Sequence, residues 1–218
     1  MLFPPAYAVR MAVLLLIRHA LTDATGKRLY GRTPGFHLSE RGREQAGRLA
    51  QRLREVPLAA LFSSPLERCV ETAGAVAEGR GLDVTTLPDL TEVDAGRLTG
   101  RSFAALRRSA HWRRVHEDSA VRFPDGESLE EVQHRVVAAL ERIAAGHRRD
   151  VVAVFSHGDP IKVAMAHFAG VHLDLFRRLE VGAASVSAVQ LGNGPPHVVR
   201  VNDTGDLTDL VPRRSRRR

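Results

Sequence analysis

The chain has 218 residues, and its 44% of apolar residues can bury the core of one large α/β domain. A single cysteine, Cys69, excludes an intrachain disulfide and gives no sign of an oxidising compartment, so we expect a cytoplasmic protein. The formal net charge of +7 is unevenly spread, because five arginines lie in residues 213–218. A basic end of this kind is typically solvated, and contact with RNA or anionic lipid is the weaker interpretation.

We expect a single domain over residues 11–211, flanked by a disordered extension over 1–10 and a basic disordered tail over 212–218. The apolar run that starts at Ala12 is too short to span a membrane. Arg18 interrupts this run without a small-residue cleavage site, which argues against a signal peptide.

The first predicted element is a buried strand, residues 14–17, which ends abruptly in Arg18 and His19. Apolar spacing, cap residues and turn residues predict the elements that follow. In chain order these are a loop over 20–37, a helix over 40–55 capped by Ser39, a strand over 58–62, a helix over 66–78 with Pro65 suited to its first turn, and an edge strand over 84–87. A loop over 90–100, a basic helix over 102–117 and a helix from 129 to about 145 with a capping box of Ser128 and Glu131 come next. The last predicted elements are a strand over 150–155, helices over 160–169 and 173–179, and antiparallel strands over 184–191 and 197–201. Strands that alternate with helices, with fully apolar central strands, indicate a three-layer α/β/α sandwich with a mostly parallel central sheet.

Polar and charged side chains stand at the ends of three predicted central strands. Arg18 and His19 end the first strand, Arg68 lies one turn into the helix after the second, and His157 follows the strand over 150–155. If the strands are parallel, these ends share one sheet edge, where ligands bind in open α/β folds. Guanidinium groups bind phosphate oxygens through paired hydrogen bonds, and a neutral imidazole can attack phosphorus. The pattern therefore predicts a phosphate pocket, although Arg18 and His19 taken alone could equally be a charged pair that closes the strand.

The same residues resemble the histidine phosphatase superfamily, also called phosphoglycerate-mutase-like. The motifs that carry the resemblance are Leu16-Ile17-Arg18-His19, Ser63-Ser64-Pro65-Leu66-Glu67-Arg68 with Thr72-Ala73, Glu92 followed by Gly96 and Gly100, Gly126-Glu127-Ser128, and Ser156-His157-Gly158. The resemblance implies that His19 becomes a phosphohistidine and that Arg18, Arg68 and His157 bind the phosphate. It also implies that Glu92 protonates the leaving group and then activates water, with Asp94 as second choice, and that no metal or cofactor is required.

The loop after His19 departs from the family pattern. Ala20 and Leu21 stand where the family usually has Gly and then Glu or Gln, and Thr25 stands where an asparagine is common. The hydroxyl groups of Thr22 and Thr25 could still bond a phosphate oxygen. We therefore count Thr22, Thr25 and Gly158 with Arg18, Arg68 and His157 as substrate-binding residues.

The length of the segment after the acid separates two family activities. Cofactor-dependent mutases resemble this chain but carry a long insert there, whereas residues 101–125 suffice for one helix and a turn. A mutase must exclude water from its phosphohistidine, which favours a substantial lid. We therefore expect a metal-independent phosphomonoesterase that acts on a small phosphorylated substrate. A phosphomutase is the alternative, a non-catalytic phosphate- or RNA-binding protein is a weaker one, and a homodimer is left open.

A metal site is not expected, because no His-Glu-x-x-His motif occurs and Cys69 stands alone. Cys69 is interpreted as a small core residue. Lys162 is the best candidate for a basic residue at the rim of the pocket. Seven further histidines are interpreted as surface or structural residues: His111, His116, His134, His147, His167, His172 and His197.

Overall fold

The computed structural model describes residues 11–205, so the predicted extension over 1–10 and basic tail over 212–218 lie outside the described residues. Residues 11–205 form a six-stranded sheet in the order β3-β2-β4-β1-β5-β6. Its strands are β1 (Ala12–Arg18), β2 (Leu58–Ser63), β3 (Val84–Thr86), β4 (Val151–Ser156), β5 (Val186–Leu191) and β6 (His197–Asp203). The first four strands run parallel, and β5 and β6 are antiparallel to their neighbours, which confirms the mostly parallel sheet.

Six α-helices connect and cover these strands within the described part of the chain. They are α1 (Glu40–Arg52), α2 (Glu67–Ala77), α3 (Phe103–Leu106), α4 (Ala110–Glu117), α5 (Leu129–Gly146) and α6 (Gly158–Phe168). Alternate side chains of β1 point to opposite faces of the sheet. Leu14 and Leu16 join the core built by α5 and α6, whereas Leu15 and Ile17 join the core built by α1 and α2. The three-layer sandwich predicted from the apolar strands is confirmed.

The prediction of one helix over residues 102–117 is wrong. The segment forms two short helices, because Ser109 interrupts it and caps α4 by accepting a hydrogen bond from the backbone nitrogen of Trp112 (3.3 Å). Serine hydroxyls compete with the helical backbone in this way and favour caps over helix interiors.

Three other helix predictions differ in detail. The helix predicted over 173–179 is a 3₁₀-helix, Leu173–Arg178. Pro65 precedes the N-cap residue of α2, Leu66, rather than lying in the first turn. The helix expected to begin at Pro160 begins at Gly158, with His157 as its N-cap residue.

The sheet register places the three predicted strand ends together. Arg18 of β1 is paired with Ser156 of β4, and Ser63 of β2 is paired with Phe155 of the same strand. The backbone nitrogen of His19 then donates to the carbonyl oxygen of Ser156 (3.0 Å). The carboxyl ends of β1, β2 and β4 therefore form one edge.

Helix α1 supports the loop that follows His19 through a glycine. A Cβ atom at Gly42 would lie 1.9 Å from the carbonyl oxygen of Leu21. That oxygen accepts hydrogen bonds from the backbone nitrogen (3.0 Å) and the hydroxyl (3.2 Å) of Ser39. The absence of a side chain at Gly42 is what permits this close approach.

We expect Gly42→Ala to lower the free energy of unfolding by about 1–3 kcal/mol, because the added methyl group must displace a bonded carbonyl. Gly47→Ala in the same helix is the matched control, since nothing lies within 4 Å of a Cβ atom there. The control should raise the free energy of unfolding by up to about 1 kcal/mol through helix propensity. Urea denaturation measures both changes, and equal stability of the two variants would contradict the packing argument.

Candidate active site

His19 is a buried, neutral imidazole at the end of β1. Its Nδ1 lies 2.8 Å from the carbonyl oxygen of Ala20. A carbonyl only accepts hydrogen bonds, so Nδ1 carries the proton and Nε2 keeps a free lone pair. Burial, followed by the charges of Arg18 and Arg68, lowers the pKa of His19 well below its usual value. The imidazole therefore meets the two requirements of a nitrogen nucleophile, which are neutrality and an available lone pair.

Arg68, in the first turn of α2, is a completely buried cation. Its Nη2 donates to the carbonyl oxygen of Gly31 (2.7 Å), and its guanidinium carbon lies 4.7 Å from the ring centroid of Tyr30. Its Nε and Nη1 have no hydrogen-bond partner among the described residues. Unsatisfied N–H groups on a buried charge are costly. An oxyanion would satisfy both.

Arg18 presents a second guanidinium beside the N-terminus of α6. Its Nη1 donates to the carbonyl oxygen of Val181 (2.7 Å), and its buried Nε has no partner among residues 11–205. A Cβ atom at Gly158 would lie 3.5 Å from the Arg18 guanidinium carbon, so the first residue of α6 is next to this cation. No side chain caps α6, and the free N–H groups of a helix N-terminus favour an anion.

His157 is completely buried and faces His19, with ring centroids 5.3 Å apart in an edge-to-face arrangement. Its Nε2 lies 2.8 Å from the Ser64 hydroxyl and 3.4 Å from the Cys69 sulfur. Burial lowers the pKa of His157 well below its usual value, and the charge of Arg68 lowers it further. Cys69 is buried as expected, and desolvation raises the pKa of its thiol.

Glu92 lies in the loop between β3 and α3 and lines a cavity together with Arg18 and Gly158. Its Oε1 accepts a hydrogen bond from the backbone nitrogen of Val93 (3.0 Å). Burial, and then the negative charge of Asp159, raise the pKa of Glu92 to about 7. A carboxyl group with such a pKa can give and take a proton near neutral pH.

Two arginines hold the backbone of Glu92. Its carbonyl oxygen accepts from Nε of Arg32 (2.9 Å) and from Nη2 of Arg135 (3.1 Å). Arg135 also forms a two-bond ion pair with Glu127 (2.9 and 3.0 Å), and Glu127 pairs with Arg32 (2.7 Å).

Asp94, the second choice for the acid, lines a different depression with residues 122–127, and its Oδ1 accepts a hydrogen bond from a backbone nitrogen. The structure thus brings Glu92, and not Asp94, to the cavity.

Thr22 and Thr25 are engaged within their own loop. Their hydroxyl oxygens lie 3.0 Å apart, and each lies 3.4 Å from the Tyr30 hydroxyl. Thr25 also accepts from the backbone nitrogen of Thr22 (3.0 Å). Tyr30 lines the cavity, whereas Thr22 and Thr25 are not among its lining residues. Their contact with substrate stays a prediction.

The cavity lined by Arg18 and Glu92 has a volume of about 230 Å³. Several side chains of its wall were not predicted from the sequence. Phe103 and Trp112 form an aromatic surface, with ring centroids 6.2 Å apart. His116, interpreted above as a surface or structural residue, lines the cavity, and its Nδ1 donates to the carbonyl oxygen of Trp112 (2.7 Å). The four-residue spacing of Trp112 and His116 was the available signal, since it places them on one helix face.

Besides Arg18 and Glu92, four charged residues line the cavity. Lys162 lies there as expected, and Arg28, Asp159 and Arg177 are additions that the sequence patterns did not reveal.

Among residues 11–205, no group of three or more His, Cys, Asp or Glu side chains is arranged to hold a metal ion. No helix in the same range is both long and apolar enough to cross a membrane.

Comparison with characterised sequences finds relatives along most of the chain. A bifunctional protein of Mycobacterium tuberculosis is 36% identical over 198 residues, which are 89% of this chain and 54% of that protein, so the chain spans about half the length of this relative. Phosphoserine phosphatase 1 of Hydrogenobacter thermophilus is 32% identical over 203 residues, covering 92% of this chain and 96% of the relative. A probable phosphoglycerate mutase of Proteus mirabilis is 31% identical over 210 residues, covering 92% and 97%.

Solved structures share the fold. The Bacillus stearothermophilus protein YhfR superposes with a TM-score of 0.82 at 29% identity, covering 88% of this chain and 97% of that one. A mycobacterial glucosyl-3-phosphoglycerate phosphatase superposes with a TM-score of 0.79 at 25% identity, covering 89% of this chain and 100% of that one.

A family model described as histidine phosphatase superfamily (branch 1) matches residues 14–204. The chain therefore belongs to the histidine phosphatase superfamily.

Proposed function

We propose that this chain is a metal-independent phosphomonoesterase that acts on a small phosphorylated metabolite through a phosphohistidine at His19. The superfamily and its relatives indicate phosphatase or mutase chemistry. The observation that carries the proposal is the placement of a neutral His19, its Nε2 unbonded, among guanidinium groups with buried, unpartnered N–H groups. This arrangement supplies a nucleophile together with donors for the oxygens of a phosphoryl group.

In the first step Nε2 of His19 attacks phosphorus as the bond to the ester oxygen breaks, in line with the attack. Arg18, Arg68 and His157 stabilise the charge on the three phosphoryl oxygens. Glu92 gives its proton to the leaving alkoxide, and an alcohol departs. In the second step Glu92 takes a proton from water while the water oxygen attacks phosphorus. The nitrogen–phosphorus bond breaks, and inorganic phosphate and neutral His19 result.

Hydrolysis is proposed over phosphoryl transfer to a second alcohol because of the short segment between the Glu92 loop and α5. Only α3 and α4 occupy it, and they bring Phe103 and Trp112 to the cavity wall. A mutase needs a lid that keeps water from the phosphohistidine. Assays with phosphoglycerates distinguish the two reactions, since a mutase would interconvert isomers without releasing phosphate.

We expect His19→Ala to reduce turnover of p-nitrophenyl phosphate in EDTA by at least about 1,000-fold, because the covalent intermediate cannot form. His134→Ala, which removes an exposed imidazole from α5, is the control. Rapid quenching of the wild type should trap an acid-labile phosphoryl group at His19. Turnover of the His19→Ala variant close to wild type would refute the nucleophile assignment.

Glu92→Gln should slow hydrolysis of an alkyl phosphate by about 10²–10⁴-fold, since an alkoxide leaves poorly without a proton donor. The loss should be much smaller for p-nitrophenyl phosphate, whose leaving group is stable as an anion. Steady-state kinetics with both esters, and with Asp94→Asn in parallel, measure the difference. A larger loss in Asp94→Asn would transfer the acid role to Asp94.

The raised pKa of Glu92 predicts the pH dependence of kcat. Because the acid must be protonated and its pKa lies at about 7, kcat for an alkyl phosphate should fall above that pH. Well above the pKa, kcat should fall by about tenfold for each further pH unit. Asp159→Asn removes a negative charge near Glu92, lowers the pKa of Glu92 and should move this limb to lower pH. A pH profile that Asp159→Asn leaves in place would contradict the electrostatic explanation.

A further inference from the structure

Three cations from separate parts of the chain line the cavity in front of the phosphate site. Arg28 comes from the loop after β1, Lys162 from α6, and Arg177 from the 3₁₀-helix before β5. Their side chains have no hydrogen bond or ion pair with other described residues, whereas neighbouring arginines such as Arg32 and Arg135 are paired. The three charges are therefore available to a ligand.

The acidic residues of the cavity do not balance these cations. Besides Glu92, which acts as the proton donor, Asp159 is the carboxylate among the lining residues. Arg18 also lines the cavity, but the proposed mechanism assigns it to the transferred phosphoryl group. The remaining wall carries three positive charges and one negative charge, so it attracts an anion.

The cations lie close to the site of phosphoryl transfer. A Cβ atom at Gly158 would lie 3.5 Å from the Arg18 guanidinium carbon, and Lys162 is four residues further along α6 on the same helix face. One helical turn, about 5.4 Å, separates these positions along the axis. His116 lines the same cavity: burial lowers its pKa, and the nearby charges of Arg177 and Lys162 lower it further. A leaving group of only a few carbon–carbon bonds would therefore reach Lys162, and Arg28 and Arg177 line the same cavity.

The same cavity offers an apolar surface to the body of such a leaving group. Phe103 and Trp112 line it and are half-buried, so part of each side chain is open to a ligand. A ligand that bridges the Arg18 guanidinium and the three cations would pass along these rings. The wall therefore combines an anion site with an apolar strip.

We infer that the preferred substrate is a short phosphate ester whose leaving group carries a second anionic group, bound by Arg28, Lys162 and Arg177. The inference rests on the proposed phosphohistidine mechanism at His19. The shared chemistry is that of a carboxylate or a second phosphate, both of which accept several hydrogen bonds from cationic donors.

The test compares aryl phosphates that carry a neutral or an anionic group opposite the phosphate. The probes are 4-(hydroxymethyl)phenyl phosphate as the neutral ester, 4-carboxyphenyl phosphate and 4-phosphonophenyl phosphate. We expect the wild type to show kcat/KM for an anionic ester about tenfold or more above the neutral one, in line with hydrogen bonds to charged groups. The larger of the two anionic values identifies carboxylate or phosphate as the preferred group.

Lys162→Ala and Arg177→Ala should each reduce the anionic-to-neutral ratio of kcat/KM by about tenfold. The ratio cancels differences in leaving-group reactivity, because these are the same for every variant. Arg178→Ala is the matched control, since it removes the same charge from the adjacent exposed position outside the cavity lining. A ratio that stays at the wild-type value in Lys162→Ala and Arg177→Ala would overturn the inference.

Failure of the proposed function gives a different result, namely no hydrolysis of any ester or equal hydrolysis by His19→Ala. In that case calorimetric titration of the three esters into the His19→Ala protein still decides the inference. Tighter binding of an anionic ester that is lost on adding Lys162→Ala supports the anion site. Equal dissociation constants for the three esters refute it.

Discussion

Arg68 carries a permanent charge at a position from which solvent is excluded, and the candidate site depends on how that charge is balanced. The Gly31 carbonyl oxygen accepts a hydrogen bond from the guanidinium, and the Tyr30 ring forms a cation–π contact with it. Two guanidinium nitrogens nevertheless have no partner among the described residues. A buried charge of this kind destabilises the empty pocket and strengthens the binding of an oxyanion. Together with burial it also lowers the pKa values of His19 and His157, so both imidazoles stay neutral. One residue thus contributes both to the proposed anion site and to the neutrality of the proposed nucleophile.

Glu92, the proposed acid, responds to burial in the opposite way. Burial and the Asp159 charge raise the pKa of Glu92, whereas burial lowers the pKa of His19, because desolvation always favours the neutral form. Two titratable groups whose pKa values move apart in this way are suited to acid and nucleophile roles at one pH. The paired arginines Arg32 and Arg135 hold the Glu92 backbone, so the carboxyl group enters the cavity from a fixed loop.

Sequence patterns predicted much of this arrangement and failed where several segments meet. The single helix expected over 102–117 is divided at Ser109, and a local cap of moderate strength decided the division. His116 was interpreted as structural because an isolated histidine carries no sign of what faces it. Lys162 was expected at the rim of the pocket, but Arg28 and Arg177 come from other elements, and only the folded chain shows that all three line one cavity.

The amino-acid sequence by itself determined the apolar central strands, the polar groups at their ends and hence the edge that carries the chemistry. These features depend on local periodicity and on the rule that parallel strands end together. Tertiary structure alone decided that Glu92 and not Asp94 reaches the cavity, that Arg68 is left with donors unpartnered among the described residues, and that three cations distant in sequence line the same cavity. Desolvation and charge–charge interactions depend on distances between segments far apart in the chain, and no local pattern contains those distances.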